Sequence, residues 1–399
     1  MNAPAAPTAI APQLVSLHLI RTLVGYDTTS RDSNLALIHW VRDYLAGHGL
    51  ASQLTFDDER RKANLFATLP TQDGNGSIGG IVLSGHTDVV PVDGQPWDTA
   101  PFEATIMGDR LYGRGVADMK SFCAIGLAHV PELLRRGLKR PLHFALSYDE
   151  EVGCIGARRL IANVVARGIK PFGCIIGEPS GMHVVVAHKG KKSHRCRVRG
   201  HETHSALTPS GVNAIQVASE IVTFLTQMAR RFREGGPFDA AYDVPFTTVH
   251  TGVIRGGTAL NIVPRDCQFD FEFRHLPDDD PDALLAEVRR FAATLLPEMH
   301  SVDPATYIEF QPISASPGYD SHDGGEIAEL GKACSGTQGT GKVSFGSEAA
   351  LFHNAGMPAI ICGPGHIAQA HQPNEWVALE QLALCEAFMA RLADHLCVA

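Results

Sequence analysis

Four short apolar runs, each ending at or just before a histidine, an acid or a glycine turn, constrain this chain more than any other feature. Ile81-Val82-Leu83 leads into Gly85-His86, and Leu142 to Leu146 leads into Asp149-Glu150-Glu151. Cys174-Ile175-Ile176 leads into Gly177-Glu178, and Ala359 to Cys362 leads into Gly363-Pro364-Gly365, with His371 soon after. Runs this short, separated by helical or loop segments, read as buried strands of an α/β sheet. In open α/β sheets, sites form outside the carboxyl ends of the strands. Groups far apart in the chain can therefore meet in one crevice.

The rest of the chain organises around that sheet. Leu14, Leu17, Ile20 and Val24 share one helical face. Ile38, Val41 and Leu45 share another, after the start signal Ser30-Arg31-Asp32-Ser33. Between Gly190 and Pro312 the pattern changes to strand, helix, strand, strand, helix, strand, the ferredoxin-like order. Its strands are expected near 193–198, 247–254, 267–273 and 306–311, and its helices over 213–232 and 281–296. Asp278-Asp279-Asp280 is expected to cap the second helix. The predicted fold is α/β, with a mixed, largely parallel sheet in a discontinuous domain of residues 1–189 and 313–399. Residues 190–312 form an inserted ferredoxin-like α+β domain. At about 150 residues per domain, a chain of 399 has room for both.

Composition excludes several function classes. Asp and Glu outnumber Lys and Arg, 43 to 34, for a net charge of −9. That opposes nucleic-acid binding through a broad basic surface. The basic run from Lys189 to Arg199 is short, and its alternating part suits one exposed strand face. No uncharged apolar stretch is long enough for a membrane span. Residues 1–12 are Ala/Pro-rich without basic residues, so no secretory signal is expected. Nine scattered cysteines without C-x-x-C fit a reducing cytoplasm. Gly74 to Gly79 matches G-x-G-x-x-G but opens no helix, and Gly336 to Lys342 lacks the Ser or Thr of a phosphate loop. Neither G-x-S-x-G nor H-E-x-x-H occurs.

What remains is the chemistry of the strand ends. His86, Asp118, Glu150, Glu151, Glu178 and His371 supply two imidazoles and four carboxylates. A lone histidine after a strand is usually structural, and adjacent acids usually mark a solvated turn. Their joint placement after separate apolar runs is what carries weight. Mixed imidazole and carboxylate donors suit zinc, cobalt or manganese. Four neighbouring carboxylates repel one another unless cations neutralise them. Two metals sharing one carboxylate would use the full set, with one acid left to take a proton from water.

These residues, in this order, resemble a known family. His86-Thr87-Asp88-Val89-Val90-Pro91, Asp118-Met119-Lys120, Asp149-Glu150-Glu151-Val152-Gly153 and Gly177-Glu178-Pro179-Ser180 look like the zinc-dependent aminoacylase and carboxypeptidase family. The resemblance implies a zinc-peptidase-like catalytic domain and an inserted lid and dimerisation domain. It implies that His86 and Glu178 bind one zinc, Glu151 and His371 the other, and Asp118 bridges them, often with a cis peptide to Met119. Glu150 would be the general base, and Asp88 would orient His86. In Gly200-His201-Glu202-Thr203-His204-Ser205, His204 would reach a partner subunit's site and hold an oxyanion; His201 is the alternative. Asn261 and Arg274 would grip the substrate's α-carboxylate.

The reaction implied is hydrolysis of the amide of an N-acyl-L-amino acid by a homodimer, with zinc and possible use of cobalt. The ending Gly363-Pro364-Gly365, Ala370-His371-Gln372-Pro373-Asn374-Glu375, and Ser347-Glu348-Ala349 upstream, look most like the branch that hydrolyses N-acetyl-L-ornithine. Glu348 is then expected to meet that substrate's distal ammonium. N-acetyl-L-citrulline and dipeptides are alternative substrates. A metal-binding, non-catalytic interaction protein is the alternative of another class.

Overall fold

The computed structural model describes residues 14–398; the 1–12 segment lies outside the described residues. The chain divides into two compact units. One comprises residues up to Val186 with 321–341 and 347–399, and the other comprises 187–320 with 342–346.

The larger unit is built on a mixed sheet. Four central strands run parallel in the order Leu142–Ser147, Ile81–His86, Gly173–Pro179, Ala359–Gly363. Every residue of these four strands is buried, as strands covered on both faces require. Antiparallel strands flank them: Ala63–Leu69 and Ser52–Phe56 on one side, Val184–His188 on the other. A small second sheet joins Thr105–Met107, Arg110–Tyr112 and Trp376–Ala378. Its three-residue strands carry no periodicity that a sequence could betray.

The helix Lys120–Ala128 packs closely under the central strand ends. Two glycines make that approach possible. A Cβ at Gly85 would lie 2.6 Å from Cys123 Sγ, and one at Gly177 would fall 2.0 Å from the Phe122 ring. Each glycine directly precedes a strand-end group, His86 or Glu178. The close packing thus fixes the height at which both side chains leave the sheet.

The smaller unit has the order strand, helix, strand, strand, helix, strand. Its strands are Gly190–Arg199, Thr248–Gly256, Asp266–His275 and Tyr307–Ser316, all paired antiparallel, with Gly190–Arg199 and Asp266–His275 in the middle. Cys196, Val198, Phe269, Phe271 and Phe273 form a core with Ile221, Leu225, Val288 and Ala292 of the helices. Asn213 caps the helix Ala214–Gly235 by accepting from the amides of Ile215 and Gln216, and Asp280 caps the second by accepting from Asp282.

Two elements outrun their expected ends at prolines. The helix Pro281–Val302 continues past Pro297, beyond the expected end at 296, although proline supplies no amide donor there. The strand Tyr307–Ser316 passes Pro312 on a sheet edge, where the ladder shifts register. No helix among the described residues is long and apolar enough to cross a membrane. All nine cysteines are free and buried.

Candidate metal centre

The parallel strands deliver their polar ends to one place. His86 closes its strand, Glu178 sits one residue from the end of its own, and Glu150 and Glu151 follow Leu142–Ser147 through Asp149. Asp149 itself turns the chain with a positive φ of 54°. Asp118 precedes the helix Lys120–Ala128, and the Asp118–Met119 peptide is cis. His371, also at positive φ, comes from the loop after the last parallel strand.

Distances bind these groups into one cluster. His86 Nε2 lies 2.9 Å from Asp118 Oδ1 and 3.9 Å from Glu178 Oε1. His371 Nε2 lies 3.2 Å from Asp118 Oδ2 and 3.0 Å from Glu151 Oε2. Asp118 thus faces one imidazole with each oxygen. One donor atom each from His86, Asp118 and Glu151 falls within 4.8 Å of the others, and the same holds for His86, Glu150 and Glu178. The two groups interleave at His86. His86 is buried, whereas the His371 side chain is 49% exposed.

Asp88 ties the cluster together from behind. Its backbone carbonyl is 2.8 Å from His86 Nδ1, and its carboxylate is 3.5 Å away. That carboxylate also accepts from Ser30 Oγ and from the amides of Glu150 and Glu151.

The electrostatics are those of a site built for cations. Burial pushes the Glu150 carboxyl up to about 8, and the charges of Glu151, Asp118 and Asp88 push the same way. Glu178 is raised well above the carboxylate range by burial and then by Asp118 and Glu150. Burial raises Glu151, and Asp118 adds to it. Against burial, hydrogen bonds from His371 and His86 hold Asp118 far below its usual value. The same contact with Asp118, then Glu151, lifts His371 to about 10. No lysine or arginine pairs with Glu150, Glu151 or Glu178 among the described residues. Buried carboxylates without a protein cation are costly unless metal ions supply the charge. The donor set of imidazole and carboxylate suits zinc and its neighbours. The residues therefore fit a metal centre.

The remaining expected residues are not members of the cluster itself. Glu348 does not face solvent: it is fully buried, and its oxygens accept from Ser84 Oγ at 2.5 Å and Ser147 Oγ at 2.8 Å. His204, Asn261 and Arg274 belong to the smaller unit. There His204 is exposed and bridges to Ile262, beside the exposed Asn261. His201 is held by Asp303 at 2.7 Å. Arg274 pairs with Glu272 at 2.9 Å.

Two groups escaped the sequence reading. Cys154 Sγ sits 3.2 Å from Glu150 Oε1, where a thiol donates to the carboxylate. Arg114 and Glu375 form a fully buried ion pair at 2.7 Å beside Asp118. The i to i+4 spacing of Glu150 and Cys154 was the only hint of the first. Nothing local signals the second.

Comparison with known proteins agrees with this geometry. The acetylornithine deacetylase of Myxococcus xanthus is 36% identical over 380 residues, covering 94% of this chain and 96% of its own. Among solved structures, an aminopeptidase from Bacillus cereus superposes with a TM-score of 0.74 at 21% identity, covering 95% of this chain and 97% of that one. A dinuclear metal-binding peptidase from Bacillus subtilis superposes with a TM-score of 0.66 at 15% identity, covering 95% and 97%. Residues 82–395 match peptidase family M20/M25/M40, so the chain belongs to that family and is a metal-dependent amidohydrolase.

Proposed function

We propose that the chain hydrolyses the amide of an N-acyl-L-amino acid, with N-acetyl-L-ornithine as the substrate, using two metal ions and Glu150 as general base. The observation that carries this reading is the convergence of four carboxylates and two imidazoles with no lysine or arginine paired to the three glutamates. His86, Asp118 and Glu178 would hold one ion, and Asp118, Glu151 and His371 the other, with zinc preferred and cobalt tolerated. Bound there, such ions polarise the amide carbonyl and lower the pKa of a water.

The protein's own groups do the rest. Glu150, beside the cluster but not needed as a ligand, takes the water's proton and returns it to the leaving amine. Cys154 donates to Glu150 Oε1 and so helps fix that carboxylate's direction. Asp88 sets the ring of His86. His204 is the better candidate for the oxyanion contact, because His201 is already engaged by Asp303. Asn261 and Arg274 grip the α-carboxylate. Glu348 remains the candidate for the substrate's distal ammonium, although its oxygens already accept from Ser84 and Ser147. The homodimer and a cytoplasmic location belong to the same reading; free, buried thiols suit the latter.

The substrate choice follows the similarity to acetylornithine deacetylases over most of the chain. Amine release from acetylornithine, acetylcitrulline, acetylmethionine and succinyl-diaminopimelate, with zinc and with chelator, tests it. Chelator-sensitive release strongest on acetylornithine is the expected result. Strongest release on acetylcitrulline would keep the mechanism and change the substrate. No release from metal-loaded protein would sink the reading.

A further inference from the structure

Arg114 and Glu375 are each 1% exposed, and the guanidinium donates to Glu375 Oε2 at 2.7 Å. The other carboxylate oxygen, Oε1, accepts from three consecutive-turn amides: Gly115 at 3.1 Å, Ala117 at 2.9 Å and Asp118 at 3.1 Å. Glu375 therefore holds the backbone of Asp118 directly. From its second amino group Arg114 donates to Gln95 Oε1 at 2.7 Å, and Gln95 Nε2 reaches the carbonyl of His371 at 3.4 Å. Glu375 itself lies in the loop that carries His371, anchored by the amide of Gly113 donating to its carbonyl. Asn374 clamps that loop again through two bonds to Asp98, each 2.8 Å.

We propose that the Arg114–Glu375 pair is a positioning strut that sets Asp118 and His371 relative to one another, so that retention of metal depends on it. The inference rests on the reading of Asp118 and His371 as metal ligands. The chain of contacts runs from Asp118 through Glu375, Arg114 and Gln95 to His371, and joins segments 261 residues apart. A buried ion pair of this kind contributes little net stability against an apolar replacement, and in some proteins buried polar groups instead fix register. Outer groups that orient metal ligands commonly change metal affinity by about 10- to 100-fold.

The purely structural alternative is that Glu375 only satisfies three buried amides. Glu375→Gln separates the two, since it keeps an acceptor for the amides but sets an NH2 group against the guanidinium. Arg114→Lys is the milder second variant, because a single ammonium cannot hold both Glu375 and Gln95 in fork geometry.

The test is calorimetric titration of zinc into chelator-stripped full-length protein, with thermal melts of the same metal-free samples. Folded Glu375→Gln and Arg114→Lys should bind zinc about 10- to 100-fold more weakly than wild type. In a His371→Ala background the Glu375→Gln step should shrink, because the strut then has one ligand fewer to place. Wild-type zinc affinity in both variants, with only a lower melting temperature, would overturn the strut and leave the metal reading intact. An undiminished step in the His371→Ala background would overturn the claim that it serves both ligands. Wild-type protein that takes up no zinc would overturn the metal reading, and the strut with it.

Discussion

The strand-end cluster of the larger unit and the ion pairs of the smaller unit treat charge in opposite ways. In the smaller unit the acids largely face cations. Arg195 grips Asp270 with two bonds at 2.7 and 2.8 Å, and Arg231 grips Glu287 at 2.6 and 2.8 Å. Lys342 sits between Asp239 and Asp320, and Lys192 meets Asp282. In the larger unit Asp118, Glu150, Glu151 and Glu178 crowd together, with two imidazoles as their only basic partners among the described residues. The first arrangement completes itself within the protein. The second is electrostatically unfinished, and unfinished charge is where a ligand ion belongs.

The contrast breaks most visibly at Glu150. If the cluster were merely tolerated charge, neutralising one member would leave activity untouched. If Glu150 is the proposed general base, Glu150→Gln should lose about 10²- to 10⁴-fold in kcat while retaining its zinc. Activity assays paired with metal analysis of the same sample check this. Full activity in that variant would remove the base from the mechanism and would favour a binding protein.

How much of this was legible in the sequence follows from what each part depends on. Parallel strands buried on both faces must be continuous apolar runs, so 81–86, 142–147, 173–179 and 359–363 announce themselves. The polar ends of such strands emerge together by topology, which is why His86, Glu150, Glu151 and Glu178 could be grouped before any coordinates. The Arg114–Glu375 pair was invisible because it depends on Trp376–Ala378 pairing with Arg110–Tyr112, a ladder of three residues. The setting of Glu348 was invisible for a similar reason. Which hydroxyls its carboxylate meets is decided by packing of Ser84 and Ser147, not by its neighbours in sequence. The helix Pro281–Val302 and the strand Tyr307–Ser316 run past Pro297 and Pro312, beyond the expected ends at 296 and 311, because tertiary context overrides a local preference.

A second substitution sharpens the contrast by having two signs. Burial, then Asp118 and Glu150, raise the Glu178 carboxyl well above its usual range, so folding of chelator-stripped protein at neutral pH must protonate it, and Glu178→Gln, which needs no proton, should be the more stable. In zinc-loaded protein the same change removes a ligand and should weaken zinc retention. Melting temperatures with and without chelator, measured on both proteins, give the comparison directly. Destabilisation of the stripped variant would mean that the cluster is satisfied without cations and does not differ in kind from the ion pairs of the smaller unit.

The smallest effect belongs to the ion pairs of the smaller unit. Asp270→Asn removes the carboxylate facing Arg195, a partly exposed pair, and should cost about 0.2–1 kcal/mol. Arg195 holds the Asp270 carboxyl below its usual range, against the opposing pull of burial. A depressed folded value means that this contribution is fully present above the unfolded pKa of about 3.9 and fades as pH falls through the folded one. The stability gap between wild type and Asp270→Asn should therefore be flat from neutral pH down to about 5 and close only below about 4. Denaturant melts across that range read the gap. A gap that stayed constant into acid would mean that Asp270 contributes through packing and not through charge, and the complementarity that distinguishes this unit would then be geometric and not electrostatic.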